Sequence, residues 1–191
     1  MERRTRRGKL VVILGSMFSG KTTELLRRLQ RYEIAGRGSV VLKPVCDTRY
    51  SETEVVTHEG LRIKAYACQN LSESAHLCVG SNIIGIDEGQ FFPDLIAFCD
   101  GMVDAGRTVV VAALSGTYER KPFGQVCDLV PRADEIVHLT AMCKCGEDAP
   151  FTARTTNDTE TTLIGGADKY IPCCTDCWVA IKQRAPPSSG E

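Results

Sequence analysis

Short apolar runs rich in β-branched residues recur through the first two-thirds of the chain. They cover residues 10–14, 39–42, 83–87, 108–114 and 135–139, and their length and composition predict buried strands. Helical spacing separates some of them. Residues 22–35 place Leu25, Leu26 and Leu29 on one face with Arg27, Arg28 and Arg31 between them, and Gly36 follows as a stop signal. Residues 94–105 set Leu95, Cys99, Met102 and Val103 at the same spacing, between Pro93 and Gly106. Strands alternating with helices predict an α/β fold with a mostly parallel sheet covered on both faces. After Leu139 this rhythm stops, and a stretch rich in Cys, Gly and Thr begins. The expected organisation is a basic flexible start (1–8), an α/β domain (9–139), a small lobe (140–182) and a polar, disordered tail (183–191).

Composition narrows the classes. The 191 residues are 43% hydrophobic and 25% charged, with a formal net charge of −1. That is ordinary globular chemistry and gives no general case for a nucleic-acid binder. Arg3, Arg4, Arg6, Arg7 and Lys9 make the start basic, but the apolar run after them is too short for a secretory core. No stretch approaches the length that spans a bilayer, so a cytoplasmic protein without a membrane partner is expected. The ten cysteines are then read as thiols rather than a disulfide framework. Cys46, Cys68, Cys78, Cys99 and Cys127 lie among apolar neighbours and read as small core residues. The other five cluster between Cys143 and Cys177.

The first chemical signal is Gly15-Ser16-Met17-Phe18-Ser19-Gly20-Lys21-Thr22, which fits G-x-x-x-x-G-K-[ST] between a strand and a helix. Such a P-loop turns successive N–H groups toward phosphate oxygens, and the following helix adds its positive end. Lys21 is expected at the β- and γ-phosphates of ATP, and the Thr22 hydroxyl at Mg²⁺. The second signal is Ile83-Ile84-Gly85-Ile86-Asp87-Glu88, an apolar strand ending in acids. Asp87 fits the acid that faces the P-loop's Mg²⁺, and Glu88 a base for an acceptor hydroxyl. The third is Cys143-Lys144-Cys145 with Cys173-Cys174-Thr175-Asp176-Cys177, which suits a tetrahedral thiolate Zn²⁺ site that stabilises a lobe with little core of its own. Cys174 and Cys177 have knuckle spacing. The first pair is tighter than the usual C-x₂-C, so Cys145 and Cys173 both stand as completing ligand. His58, His76 and His138 lack ligand spacing to this group, and His138 reads as a core or edge histidine.

In order along the chain, these motifs are joined by Asp47-Thr48-Arg49-Tyr50, Gly89-Gln90-Phe91-Phe92-Pro93-Asp94, Lys121-Pro122-Phe123 and Ile164-Gly165-Gly166-Ala167-Asp168-Lys169-Tyr170. Together they resemble the type II thymidine kinase family, which includes human cytosolic and poxvirus enzymes, from about Gly8 to Cys177. The resemblance implies a P-loop, RecA-like α/β fold with a zinc-binding lobe carrying a lasso loop. It implies transfer of the γ-phosphoryl of ATP-Mg²⁺ to the 5′-hydroxyl of thymidine, with deoxyuridine as a further acceptor, in nucleotide salvage for DNA synthesis. Glu88 is implied as the base. Asp47 and Arg49 are placed near the phosphates, with Asp87 and Gln90 lining the same site. Met17, Phe91, Leu114 and Tyr118 are implied as walls of a base slot, and Phe92 as core. Thr161, Thr162, Leu163, Ile164, Gly165 and Tyr170 come from the lasso, and Thr152 is a candidate contact to the base edge. The resemblance also implies that Cys143, Cys145, Cys174 and Cys177 hold a structural Zn²⁺ that anchors the lasso. A homotetramer is implied as well.

The chain departs from the family pattern at Ser115, where an acid is common, at Tyr118, where Phe is common, and in the shortened first cysteine pair. Three other readings compete. A P-loop ATPase with a zinc module for nucleic acid predicts a basic stripe and a longer chain. A kinase for another deoxynucleoside differs only in the slot. A nucleotide-binding switch has no need of Glu88.

Overall fold

The computed structural model describes residues 8–47, 54–56, 62–156 and 165–184. In chain order the elements begin with β1 (Lys9–Gly15), α1 (Lys21–Ile34), β2 (Ser39–Pro44), β3 (Glu54–Val56), β4 (Arg62–Lys64) and β5 (Tyr66–Cys68). A 3₁₀ segment at Leu71–Cys78 precedes β6 (Ile83–Ile86), a 3₁₀ turn at Gly89–Phe91, α2 (Leu95–Asp104), β7 (Thr108–Leu114), the single turn α3 (Val126–Leu129) and β8 (Glu135–Leu139). Then come β9 (Ala141–Met142), β10 (Asp148–Ala149), β11 (Phe151–Arg154), β12 (Tyr170–Cys173) and α4 (Thr175–Arg184).

Six strands form one sheet in the order β5-β2-β6-β7-β1-β8, and every pairing within it is parallel. The period-2 alternation along each strand sorts the core into two layers. Leu10, Val12, Leu42, Ile84, Ile86, Val109 and Val111 pack on one face against Leu95, Phe98 and Cys99 of α2 and against Leu71 and Cys78 of the 3₁₀ segment. Val11, Ile13, Val41, Ile83, Val110 and Ala112 pack on the other against Leu25, Leu26 and Leu29 of α1. Those three leucines are fully buried, each stabilising the fold by about 1.5–3 kcal/mol. Both faces of the sheet are covered, which is why its strands read as continuous apolar runs.

All five strands and both helices expected from the pattern are present, within two residues at their ends. Asp94 stands at the start of α2 but caps a different element. Its carboxylate accepts the Leu71 N–H (3.0 Å) and the Ser72 N–H (2.9 Å), closing the first turn of the 3₁₀ segment. Burial opposes ionisation of Asp94, but these N–H groups outweigh it and hold its carboxyl below the usual range.

Two of the five scattered cysteines are not core. Cys127 is exposed and Cys46 half-buried, whereas Cys68, Cys78 and Cys99 are buried. Cys127 lies on α3, whose inward face is made by Val126 and Leu129, so the two residues between them, Cys127 and Asp128, turn to solvent. His138 is on β8, at the sheet edge, and is exposed.

Beyond β8 the chain builds two small antiparallel pairs, β9–β10 and β11–β12, with α4 packed against β11. Their shared core is slight: Cys143, Ala149, Ala153, Cys173 and Cys174, flanked by Phe151, Ile171, Trp178 and Ile181.

Candidate active site

Because the sheet is parallel, the carboxyl ends of its strands converge on one edge, where ligands bind in open α/β folds. The P-loop leaves β1 there, Asp47 follows β2, Asp87 and Glu88 follow β6, and Ser115 follows β7.

The loop is organised around one carbonyl. The oxygen of Ser16 accepts from Ser19 N (3.4 Å), Ser19 Oγ (2.8 Å) and Lys21 Nζ (2.7 Å). Lys21 is buried at the first turn of α1, and Gly20 before it takes φ 82°, a left-handed conformation that glycine adopts without Cβ strain. The arrangement brings a fixed ammonium, loop N–H groups and a helix N-terminus to one place, which is what a polyphosphate requires.

Facing it, Asp87 is buried and its N–H is held by the Leu42 carbonyl (2.9 Å). The Thr22 hydroxyl lies 3.2 Å from both of its carboxylate oxygens. A hydroxyl and a carboxylate at this spacing are hard oxygen donors of the kind Mg²⁺ takes. Glu88 is next in the chain and adopts φ 52°, which few non-glycine residues do. Gln90 is buried between two partners. Its Nε2 donates to Glu88 Oε2 (2.5 Å) and its Oε1 accepts from Leu114 N (3.0 Å). Ser115, the departure from the family acid, pairs its Oγ with His138 Nε2 at 3.3 Å.

The small lobe docks directly onto the P-loop. Ser16 Oγ donates to the Ala149 carbonyl (2.7 Å), and Thr152 Oγ1 accepts from the Met17 N–H (2.9 Å). Thr152 is buried, so its hydroxyl holds the loop. Phe91 is half-buried and meets Phe123 edge-on at 5.5 Å, while Phe92 is core.

Tyr118 sits in a stack of cations and aromatics. The Arg154 guanidinium lies 3.9 Å from its ring centroid and the Lys182 ammonium 5.0 Å, and its carbonyl accepts from Trp178 Nε1 (3.0 Å). Arg154 also donates from Nη2 to the Tyr170 hydroxyl (2.8 Å), which joins Tyr118 to Tyr170 through one buried guanidinium. Arg120 covers Phe151 at 4.0 Å and Trp178 at 5.0 Å. Sequence reasoning missed Arg154, Trp178 and Lys182. The signal that was available is Trp178, the chain's only tryptophan, directly after the last candidate metal ligand.

Cys143, Cys145, Cys174 and Cys177 bring their sulfurs within 4.8 Å of one another. Cys145 and Cys174 are 3.6 Å apart at sulfur, far beyond a disulfide bond and close to the edge of a tetrahedron with ~2.3 Å Zn–S bonds. Backbone N–H groups of Cys145 and Cys174 bring the Cys143 thiol down to about 6, and its hydrogen bond with Cys177 pushes that second thiol up. The donor set fits Zn²⁺. Cys173 lies outside the group, buried in the lobe core, so Cys145 completes the four despite the short spacing. The tip of the β9–β10 hairpin makes this possible, because the Gly146 N–H folds back onto the Cys143 carbonyl (2.9 Å).

Of the remaining expected residues, Asp47 is at the β2 end, where its carbonyl accepts from Lys43 Nζ (3.4 Å). Gly165 is half-buried beside Lys169. Arg49, Thr161, Thr162, Leu163 and Ile164 lie outside the described residues, as do the basic start through residue 7 and the tail from residue 185. No helix of the described residues is long and apolar enough to cross a membrane.

Comparison with known proteins gives a consistent result. Residues 8–178 match the family model for thymidine kinase. The chain is 47% identical to the thymidine kinase, cytosolic, of Homo sapiens over 188 residues, covering 97% of this chain and 80% of that protein. It is 44% identical to thymidine kinase 1 of Dictyostelium discoideum over 176 residues, 90% of this chain and 78% of the relative. It is 43% identical to the thymidine kinase of Variola virus over 173 residues, 90% of this chain and 97% of the viral protein.

Proposed function

The chain belongs to the thymidine kinase family and phosphorylates thymidine, and we propose that it passes the γ-phosphoryl of ATP-Mg²⁺ directly to the 5′-hydroxyl, giving dTMP and ADP. The observation that carries this reading is the seating of Thr22 against Asp87 at 3.2 Å, with Glu88 the next residue in the chain. Phosphate-holding groups and a candidate base thus share one edge of the sheet.

The roles follow from chemistry. Loop N–H groups and Lys21 bind and orient the β- and γ-phosphates. Thr22 and Asp87 are the residues that would hold Mg²⁺, which when bound neutralises charge on those phosphates. Glu88 accepts the proton of the 5′-hydroxyl as that oxygen attacks phosphorus and ADP leaves. Arg49 stabilises charge on the transferring group, and Asp47 supports the same region. Met17, Phe91, Leu114 and Tyr118 wall the base. The lasso residues Thr161, Thr162, Leu163, Ile164 and Gly165 close over it with Tyr170, and their backbone groups read the thymine edge. Thr152 reaches the base edge only as far as its bond to Met17 N leaves it room.

Cys143, Cys145, Cys174 and Cys177 would hold a structural Zn²⁺ whose job is to anchor the lobe, since the core around them is small. We read residues 9–139 as the kinase domain and 140–182 as the lobe, working in a cytosolic homotetramer for nucleotide salvage. The human and hamster relatives are each named thymidine kinase, cytosolic.

The test is a transfer assay with γ-labelled ATP and Mg²⁺ across thymidine, deoxyuridine, deoxycytidine and deoxyguanosine. The expected order is thymidine first, deoxyuridine next, and the other two far behind. Equal labelling of deoxycytidine or deoxyguanosine would overturn the assignment of the slot, and ATP hydrolysis without labelled nucleoside would overturn phosphoryl transfer.

A further inference from the structure

Glu88 stands in a conformation that its own backbone disfavours. At φ 52° and ψ 44° a residue with a Cβ is strained unless its surroundings fix it. What fixes it is visible two residues on. Gln90 is 3% exposed, and both ends of its amide are engaged inside the protein. The orientation of that amide is determined by chemistry. The Leu114 backbone N–H can only donate, so the atom facing it is Oε1, and the atom facing Glu88 is the donor Nε2. The amide therefore joins the end of β7 to the carboxylate of Glu88.

The turn itself cannot drift. The Gln90 carbonyl lies against Gly124, where a Cβ would come within 2.4 Å of it, and Gly124 takes φ 54°. The Phe91 N–H bonds back to the Glu88 carbonyl at 3.1 Å and closes the turn. A carboxylate whose Oε2 accepts from a buried amide in a fixed turn keeps one direction, which a base needs to meet a hydroxyl proton.

We infer that Gln90 is a positioning residue for phosphoryl transfer: it aims the Glu88 carboxylate, using the Leu114 N–H of β7 as its fixed point, rather than binding the nucleotide. This rests on the assignment of Glu88 as base. It differs from the nucleotide contact that the motif at Asp87–Gln90 implies, because the side chain faces Glu88 and β7.

Two variants test it. Gln90→Met keeps the length and removes both hydrogen bonds. Gln90→Glu keeps an acceptor for Leu114 N but sets a second carboxyl against Glu88; the two share a proton, so the acidic limb of the kcat–pH profile should move up, and an unmoved limb contradicts the inference. Steady-state kinetics across pH, with ATP binding by calorimetry and a melting curve for each protein, supply the readouts. The expected result for Gln90→Met is a 10- to 100-fold lower kcat, roughly what losing one hydrogen bond to a charged group corresponds to. KM for thymidine and affinity for ATP should stay near wild type, while the melting temperature falls only by what an unpaired Leu114 N–H costs. A normal kcat overturns the inference. So does a preserved kcat with ATP affinity weakened several-fold, because that makes Gln90 a nucleotide contact. Glu88→Gln run alongside separates the two claims: if it stays active, the base assignment itself fails, whatever Gln90 does.

Discussion

The two hydrogen bonds between the small lobe and the P-loop make Thr152→Val an informative substitution. Valine has the shape of threonine, so the change opens no cavity and its effect isolates the hydroxyl. In the native protein that hydroxyl accepts the Met17 N–H at 2.9 Å on a buried side chain. Losing the acceptor leaves a loop N–H without its partner, at a cost of about 1–3 kcal/mol. For a chain of this size that is a melting temperature lower by about 2–12 °C. The matched control is Thr152→Ser, which keeps the oxygen and loses a methyl worth about 0.8 kcal/mol. The two variants should therefore separate by assay. Valine should raise KM for ATP, because Met17 belongs to the phosphate loop, and serine should leave it alone. Differential scanning calorimetry and initial-rate kinetics measure both. Docking through this hydroxyl is refuted if valine melts and binds ATP like wild type, or if the serine variant has the poorer KM for ATP. A change confined to KM for thymidine would instead make Thr152 a contact to the base.

Other outcomes follow from the same contacts. Trp178→Phe removes the Nε1 bond to the Tyr118 carbonyl while keeping an aromatic body, and should raise KM for thymidine several-fold with KM for ATP unchanged in initial-rate assays. Asp94 is held below its ordinary pKa, so its contribution to stability is present above about pH 4 and is lost as pH falls through the lowered folded value. Asp94→Asn should cost about 1 kcal/mol near neutrality, allowing for solvent screening, and denaturant melts should show a smaller loss of stability on acidification than in wild type. Metal analysis of purified protein should find about one Zn²⁺ per chain, and its chelation should make the segment from residue 140 onward sensitive to protease before the parallel sheet.

The parallel sheet was legible because its strands are buried on both faces, and an unbroken apolar run such as Val109–Leu114 in β7 fits few elements besides a buried strand. The phosphate edge was legible for a different reason: Lys21, Thr22 and Asp87 carry chemistry at fixed offsets from strand ends. Tertiary contacts hid the rest. β5 is three residues long and is defined by pairing with β2 rather than by its own pattern. In the lobe, β9 and β10 have two residues each and β11 and β12 four, too few to write a period, and four thiols replace much of the apolar core. Cys127 looked like core because its neighbours are apolar, and only the direction of α3 shows that it is not. Tyr118 and Tyr170 could be named from motifs, but Arg154 between them could not, because a buried arginine in a short strand has no signature of its own. Gln90 was legible as part of the site and illegible in its role, which depends on Leu114, a residue distant in sequence.

The most direct measurement of the central claim is single-turnover transfer from γ-labelled ATP to thymidine by wild type and Glu88→Gln, with ATP affinity determined on both. A general base contributes about 10²- to 10⁴-fold, so the variant should transfer more slowly by that factor while ATP binds within a few-fold of wild type. Transfer by Glu88→Gln at a near-normal rate would contradict the account.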